Sequence, residues 1–324
     1  MGHPQFYDTE MTSSATVSAE VALATIYRTR PLVIACCSAS KAMPSRASFV
    51  PLVGETRACA ISRWRKILDA AEPDLPAGLL YRGRAFLVVR DAASRVGADL
   101  AIISAGLGLV LSGTPVPAYD LTIERGPGAL ARGIEDWEPR AWWCAIRDNR
   151  FAVPMMREAA ARQSILIALT RSYARLLADE IERLAPHADR VRIFGDGLAR
   201  VLPKAIQPCL MPYDARLDAI GQRGTRGDFA ARALADFVDQ IGIGPSCSHD
   251  AVRVRARLAS AERPQIVANS RTDDETLAAE IRKMRRQQTG ISSLHILRRL
   301  RHELGLACSE ARLRRLLAAD RAQY

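Results

Sequence analysis

Four short apolar runs constrain this chain more than any other feature: Pro31 to Cys37, Leu100 to Ser104, Ser164 to Leu169 and Val191 to Gly195. The first three are continuous rather than alternating, the fourth is broken only by Arg192, and all are too short for a stable helix, which is the pattern of a strand buried on both faces. Between and after them, residues 57–71, 83–96, 171–184 and 228–241 place apolar side chains three and four apart, with Arg, Asp and Glu opposite. That spacing predicts amphipathic helices. Strands alternating with helices imply an α/β domain with a mostly parallel sheet covered on both faces. In such sheets the loops after the carboxyl ends of the strands carry function, because loop amides and helix starts converge there.

The chain has 324 residues, 48% of them hydrophobic, enough to bury a full core. The expected organisation is an N-terminal extension over 1–29, an α/β catalytic domain over 30–261 and a small basic helical domain over 262–324. Lys and Arg number 46 against 35 Asp and Glu, a formal charge of +11 that calls for an anionic partner, nucleic acid before others. A solvated, arginine-rich surface is the competing explanation. Residues 271–324 hold twelve of the cations and seven of the acids. Thr272 to Glu275 has the spacing of a capping box, predicting a helix from there to about Gln288. A second helix is expected from about Ser292 to Leu304, ending at Gly305, and a third from Ser309. Basic helices around a glycine turn suggest a helix-turn-helix, with Arg298, Arg299, Arg301, Arg312, Arg314 and Arg315 as the candidate DNA contacts.

Seven scattered cysteines, an odd number without a CxxC pair, point to reduced thiols and a cytoplasmic location. No apolar run reaches membrane-spanning length and no leader pattern opens the chain, so a membrane partner is not expected. Cys247-Ser-His249-Asp250 is the one local cluster of metal-ligand types, and it lacks a matching second pair. Gly106-Leu-Gly108 lacks the third glycine of a dinucleotide fingerprint, and Gly195-Asp-Gly197 reads as a turn. Neither metal nor cofactor is expected. Cys36 and Cys37, at the end of an apolar run with no histidine nearby, read as buried and inert.

The carboxylates carry more chemistry. Asp120 follows Pro117-Ala-Tyr119 in a strand-end loop, and Asp218 lies beside Arg216 in a later one. An aspartate held beside an aromatic ring can orient water or stabilise the oxocarbenium-like sugar that forms as a glycosidic bond breaks. Turn or cap roles are the alternative for both. Asp120 is the first candidate and Asp218 the second, with Arg216 holding the loop. Tyr81 and Tyr119 are candidate walls of a base pocket, and Ser38, Lys41 and Ser104 candidate contacts to phosphate or to the departing base.

The segments Cys37 to Lys41, Leu80 to Phe86, Ile103 to Leu109 and Pro117 to Asp120 together resemble a bacterial domain of unknown function. That domain is similar to the bacterial peroxide stress protein and to the middle domain of archaeosine synthase, both associated with the uracil-DNA glycosylase-like fold. The resemblance covers about residues 30–125, with a weaker patch over 212–229. It implies a three-layer α/β/α architecture built around nucleobase handling. It also implies a DNA glycosylase, of the kind that restricts phage by excising a modified, glucosylated cytosine and leaving an abasic site. The Asp-Pro-Tyr and His-Pro-Ser loops of uracil glycosylases are absent, so Asp120 rests on chemistry alone. A DNA-binding stress protein without turnover and a base-exchanging or accessory protein of 7-deazaguanine modification are the alternatives.

Overall fold

The computed structural model describes residues 30–124, 128–221, 224–263 and 270–322. The extension expected over 1–29 lies outside them. The chain divides into two compact units, residues 1–263 and 264–324.

Unit 1 is mixed α/β. Its main sheet has five strands: β1 (Leu32–Cys36), β2 (Asp99–Ser104), β3 (Gly108–Leu111), β4 (Ile165–Ala168) and β5 (Val191–Phe194), in the order β3-β2-β1-β4-β5. β2, β1, β4 and β5 run parallel, and β3 is antiparallel to β2. The four apolar runs therefore form the parallel strands, and Leu32 to Ala35 and Ile165 to Ile167 are fully buried. β3 was not expected. It starts at Gly108, where φ is +78° and an added Cβ would lie 2.9 Å from the Arg147 backbone, so a glycine is needed for the turn back onto β2.

Five helices frame this sheet: α1 (Arg57–Ala70), α2 (Arg84–Arg95), α3 (Pro139–Ile146), α4 (Arg171–Leu176) and α5 (Phe229–Asp236). α2 buries Phe86, Val89, Ala92 and Ala93, the face its spacing predicts, and packs with α5 against the sheet. Burying the larger of these side chains contributes about 1.5–3 kcal/mol each, against the entropy of ordering them. α1, α3 and α4 pack side by side as a second group. The Trp64 indole of α1 donates to Gly106 O at 2.7 Å, and Trp142 of α3 donates to Ala105 O at 2.9 Å. These two bonds pin the β2–β3 turn. α4 is shorter than its pattern suggested: the helix expected to Leu184 breaks at Leu177 and resumes over Ala178–Glu182.

A sixth helix, α6 (Cys247–Ala259), is capped by Ser246, whose hydroxyl accepts from His249 N. It carries Asp250 into the interior, where that carboxylate pairs with Arg192 of β5 at 2.8 Å; both side chains are at most 1% exposed. Two further guanidinium hydrogens go to Asp189 O and Gly244 O. Both edges of the sheet meet loop backbone: Val153 N donates to Leu109 O of β3, and Met211 N to Ile193 O of β5.

Among the described residues unit 2 has three helices, α7 (Asp274–Gln287), α8 (Ser293–Arg298, continuing as wider turns over Arg299–Glu303) and α9 (Glu310–Ala322). They close on their own core of Leu277, Ile281, Met284, Ile296, Leu300 and Leu313. The cap of α7 is Asp273, whose carboxylate accepts from Thr276 N at 2.7 Å, one residue beyond the expected Thr272. Ser292 and Ser309 bond the first turns of α8 and α9, and Gly305, at φ +62°, ends the second helical stretch. Among the described residues no helix is long and apolar enough to cross a membrane.

Candidate functional site

The four sequence segments singled out above converge at the carboxyl ends of β1 and β2. Lys41 bridges to Tyr81, Arg82 N donates to Ser40 O, and Ala42 N to Leu80 O. Ser38 Oγ donates to Ser40 O at 2.7 Å and accepts from Gly83 N at 3.0 Å. A Cβ on Gly83 would come within 2.5 Å of the Ser38 Cβ, so this close approach needs glycine. Ser104 Oγ accepts from Leu107 N at 3.0 Å, which leaves its own proton for the Tyr119 hydroxyl at 2.7 Å. Tyr119 is 3.0 Å from the Tyr81 hydroxyl and donates to Cys37 Sγ at 3.5 Å, and Cys37 lies 2.9 Å from the Tyr173 hydroxyl. The result is a hydrogen-bonded chain running Ser104, Tyr119, Cys37, Tyr173.

This cluster differs from the expected pocket wall. Tyr81, Ser104 and Tyr119 are buried, so the two rings pack inside the unit and do not face a base. Burial pushes the phenols of Tyr81, Tyr119 and Tyr173 well up, which keeps them neutral hydrogen-bond donors. Burial likewise pushes the Cys36 thiol up. The Lys41 amine lies 4.2 Å over the centre of the Tyr119 ring, and burial lowers its pKa.

The two aspartates are held elsewhere. Asp120 is exposed and ties a loop, accepting from Phe49 N and, at 3.1 Å, from Ser48 Oγ. Asp218 lies in a short helical turn, Leu217–Ile220, and pairs with Arg232 at 2.6 Å. Arg216 pairs with Asp214 at 3.0 Å and donates to Leu258 O. Burial works to raise the Asp214 pKa, but the Arg216 hydrogen bonds outweigh it and hold the carboxyl below its ordinary range. These three residues form structural ties, and none of them lines the cleft at the ends of β1 and β4.

What opens to solvent is a cleft of about 670 Å³ at the carboxyl ends of β1 and β4. From β1 the chain passes to β2 on one side, and β4 adds on the other, so the cleft sits where the strand order reverses. Open α/β sheets bind ligands at this point, because the flanking loops splay apart there. Cys37 and Ser38 come from the β1 loop, Thr170 and Tyr173 from the start of α4, and Asp196 from the turn after β5. Glu124 lines the same cleft, its two oxygens accepting from Thr170 Oγ1 at 2.8 Å and Ser172 Oγ at 3.2 Å. Arg171, Arg175 and Arg226 are exposed on its rim, and none has an ion-pair or hydrogen-bond partner among the described residues. Sequence reasoning missed Glu124, Asp196 and all three arginines. Only the Gly195-Asp-Gly197 turn had drawn notice, and without a role.

Among the described residues no group of three or more His, Cys, Asp or Glu is arranged to hold a metal ion. Cys247 and Asp250, from the one local cluster of ligand types, are spent on Pro208 O and on Arg192. In unit 2, five of the six candidate DNA contacts are engaged internally. Arg299 pairs with Glu303, Arg312 and Arg315 with Asp274, Arg314 with Glu310, and Arg301 donates to Cys308 O. Arg298 is exposed and without a partner among the described residues. Compared with known proteins, the chain matches no family model, no curated protein and no solved structure.

Proposed function

We propose that the protein is a DNA glycosylase that receives a modified base in the cleft between the ends of β1 and β4. The observation that carries this reading is the cleft itself: three arginines on the rim without a partner among the described residues, with the hydroxyl-held carboxylate of Glu124 on the wall. An enzyme acting on a base in duplex DNA must extrude the nucleotide, at a cost of a few kcal/mol, and then grip the strained backbone. Arg171, Arg175 and Arg226 supply cations for the flanking phosphates. As the glycosidic bond breaks, positive charge develops on the sugar, and Glu124 stabilises it more than it stabilises the ground state. Asp196 is the second carboxylate at the same mouth and the candidate to direct water. Cys37 and Tyr173 share one hydrogen bond, so the pair has one proton left to donate toward the departing base, with the buried Ser104–Tyr119 chain fixing its orientation.

The cleft volume lies in the range that takes drug-sized ligands, so a base with a sugar-sized substituent is compatible with it. The resemblance makes glucosylated cytosine of phage DNA the first substrate to try, on an α/β/α frame like that of uracil-DNA glycosylases. In this reading Glu124 replaces Asp120 as the catalytic carboxylate, since Asp120 ties the Phe49 loop.

The test incubates purified protein with duplexes carrying different modified bases and follows released base by mass spectrometry together with abasic sites. Release of one base with matching abasic sites supports the glycosylase. Uptake of a labelled free base into the DNA moves the assignment to base exchange, and tight binding without product moves it to a binding protein.

A further inference from the structure

α7 of unit 2 presents a second basic surface that the six candidate arginines did not include. Arg282 and Arg286, one helical turn apart, line a groove of about 680 Å³ together with Arg285, Thr289, Ser293 and Asp320. Asp320 pairs with Arg285, so that arginine adds no net charge. Arg282 and Arg286 have no ion-pair or hydrogen-bond partner among the described residues, and neither do the hydroxyls of Thr289 and Ser293. Two guanidinia and two hydroxyls without a partner among the described residues thus share one concave surface.

We propose that this groove seats backbone phosphates of double-stranded DNA, with Arg282 and Arg286 as its cationic contacts. Side chains at i and i+4 project from one helix face, so the two guanidinia can engage phosphates of the same strand. Hydroxyls at the turn add the neutral donors that commonly accompany arginine at phosphates. The net charge of +11 on the chain sets the sign of the field that draws such a polyanion. The face differs from the one marked in the sequence, where Arg312 and Arg315 of α9 share Asp274 and Arg314 pairs with Glu310, so that two carboxylates offset two of those three charges. The proposal rests on the reading of the protein as acting on DNA, but not on the chemistry assigned to the cleft.

The experiment uses the full-length chain and an unmodified fluorescent duplex, with binding followed by anisotropy over a salt series. Neutralising two phosphate contacts, in Arg282→Gln/Arg286→Gln, should reduce the slope of log K against log salt by about 1.8, since each contact contributes about 0.9. Arg314→Gln, at a residue whose charge is offset by Glu310 on the same exposed helix face, should leave the slope as in wild type. Thermal melts establish that each variant is folded. A double variant with the wild-type slope overturns the proposal, as does an equal loss in Arg314→Gln. Base release by the wild-type protein alongside an unchanged slope overturns the groove alone, whereas absence of any duplex binding by wild type overturns the groove and the DNA reading together.

Discussion

Arg192 and Arg171 belong to the same sheet frame and are treated in opposite ways. Arg192 points from β5 into the interior, where Asp250 and two carbonyls take up its hydrogens. Arg171 stands three residues beyond the end of β4, exposed at the cleft with no partner among the described residues. A buried charge is tolerated when it is paired and hydrogen-bonded, and removing the pairing group leaves the full desolvation cost. An exposed, unanswered cation costs the fold almost nothing and stays available to a ligand. The difference separates arginines that hold the molecule together from those that meet something else, which residue type alone cannot do.

The largest expected effect comes from the buried side of the comparison. Asp250→Ala should lower the unfolding free energy by about 3–5 kcal/mol, read by urea denaturation. A variant as stable as wild type would break the contrast.

Next is the cleft carboxylate. Glu124→Gln keeps the hydroxyl contacts in part and removes the charge, so base release should fall by about two orders of magnitude with little change in melting temperature. Asp120→Asn should do the reverse, weakening the loop tie to Phe49 while sparing turnover. If only the Asp120 variant loses activity, the catalytic role returns to that residue.

A smaller effect is expected from Arg171→Gln/Arg226→Gln. Stability should stay within about 0.5 kcal/mol of wild type, as is usual for surface changes, while the salt slope of DNA binding falls. Loss of stability equal to that of Asp250→Ala would erase the distinction between the two sets.

The smallest concerns Lys41. Burial lowers its pKa in the folded chain below the ordinary 10.5, so the unfolded chain binds more protons between those two values. Unfolding free energy should therefore rise with pH across that alkaline window, and Lys41→Met should remove this share of the slope. Denaturation curves at several alkaline pH values measure it, and a Lys41→Met protein with the wild-type slope would refute it.

The four parallel strands were legible because mainly apolar runs of five to seven residues have few other uses. β3 was not, since four residues after a tight glycine turn leave no periodic signal. α3 was overlooked although Glu138 caps the amides of Arg140 and Ala141 and Pro139 opens the helix, both readable signs. Lys41, Tyr81, Ser104 and Tyr119 were found as motif residues, and they do meet in space. Their burial could not be read, because a tyrosine that walls a pocket and one that plugs a core look alike in sequence. Glu124 and Asp196 come together only through the strand order, which brings loops some seventy residues apart to one mouth. For α9 the pairing was partly written in the spacing, since Glu310 and Arg314 lie one turn apart.

The ends of the sheet have a consequence of their own. An open edge of backbone groups invites another chain to add itself as a further strand, the usual route to aggregation in α/β proteins. Here the amides of Val153 and Met211 already occupy carbonyls on β3 and β5. At those two carbonyls an added strand would have to displace a loop of the same chain before it could form its own ladder bond.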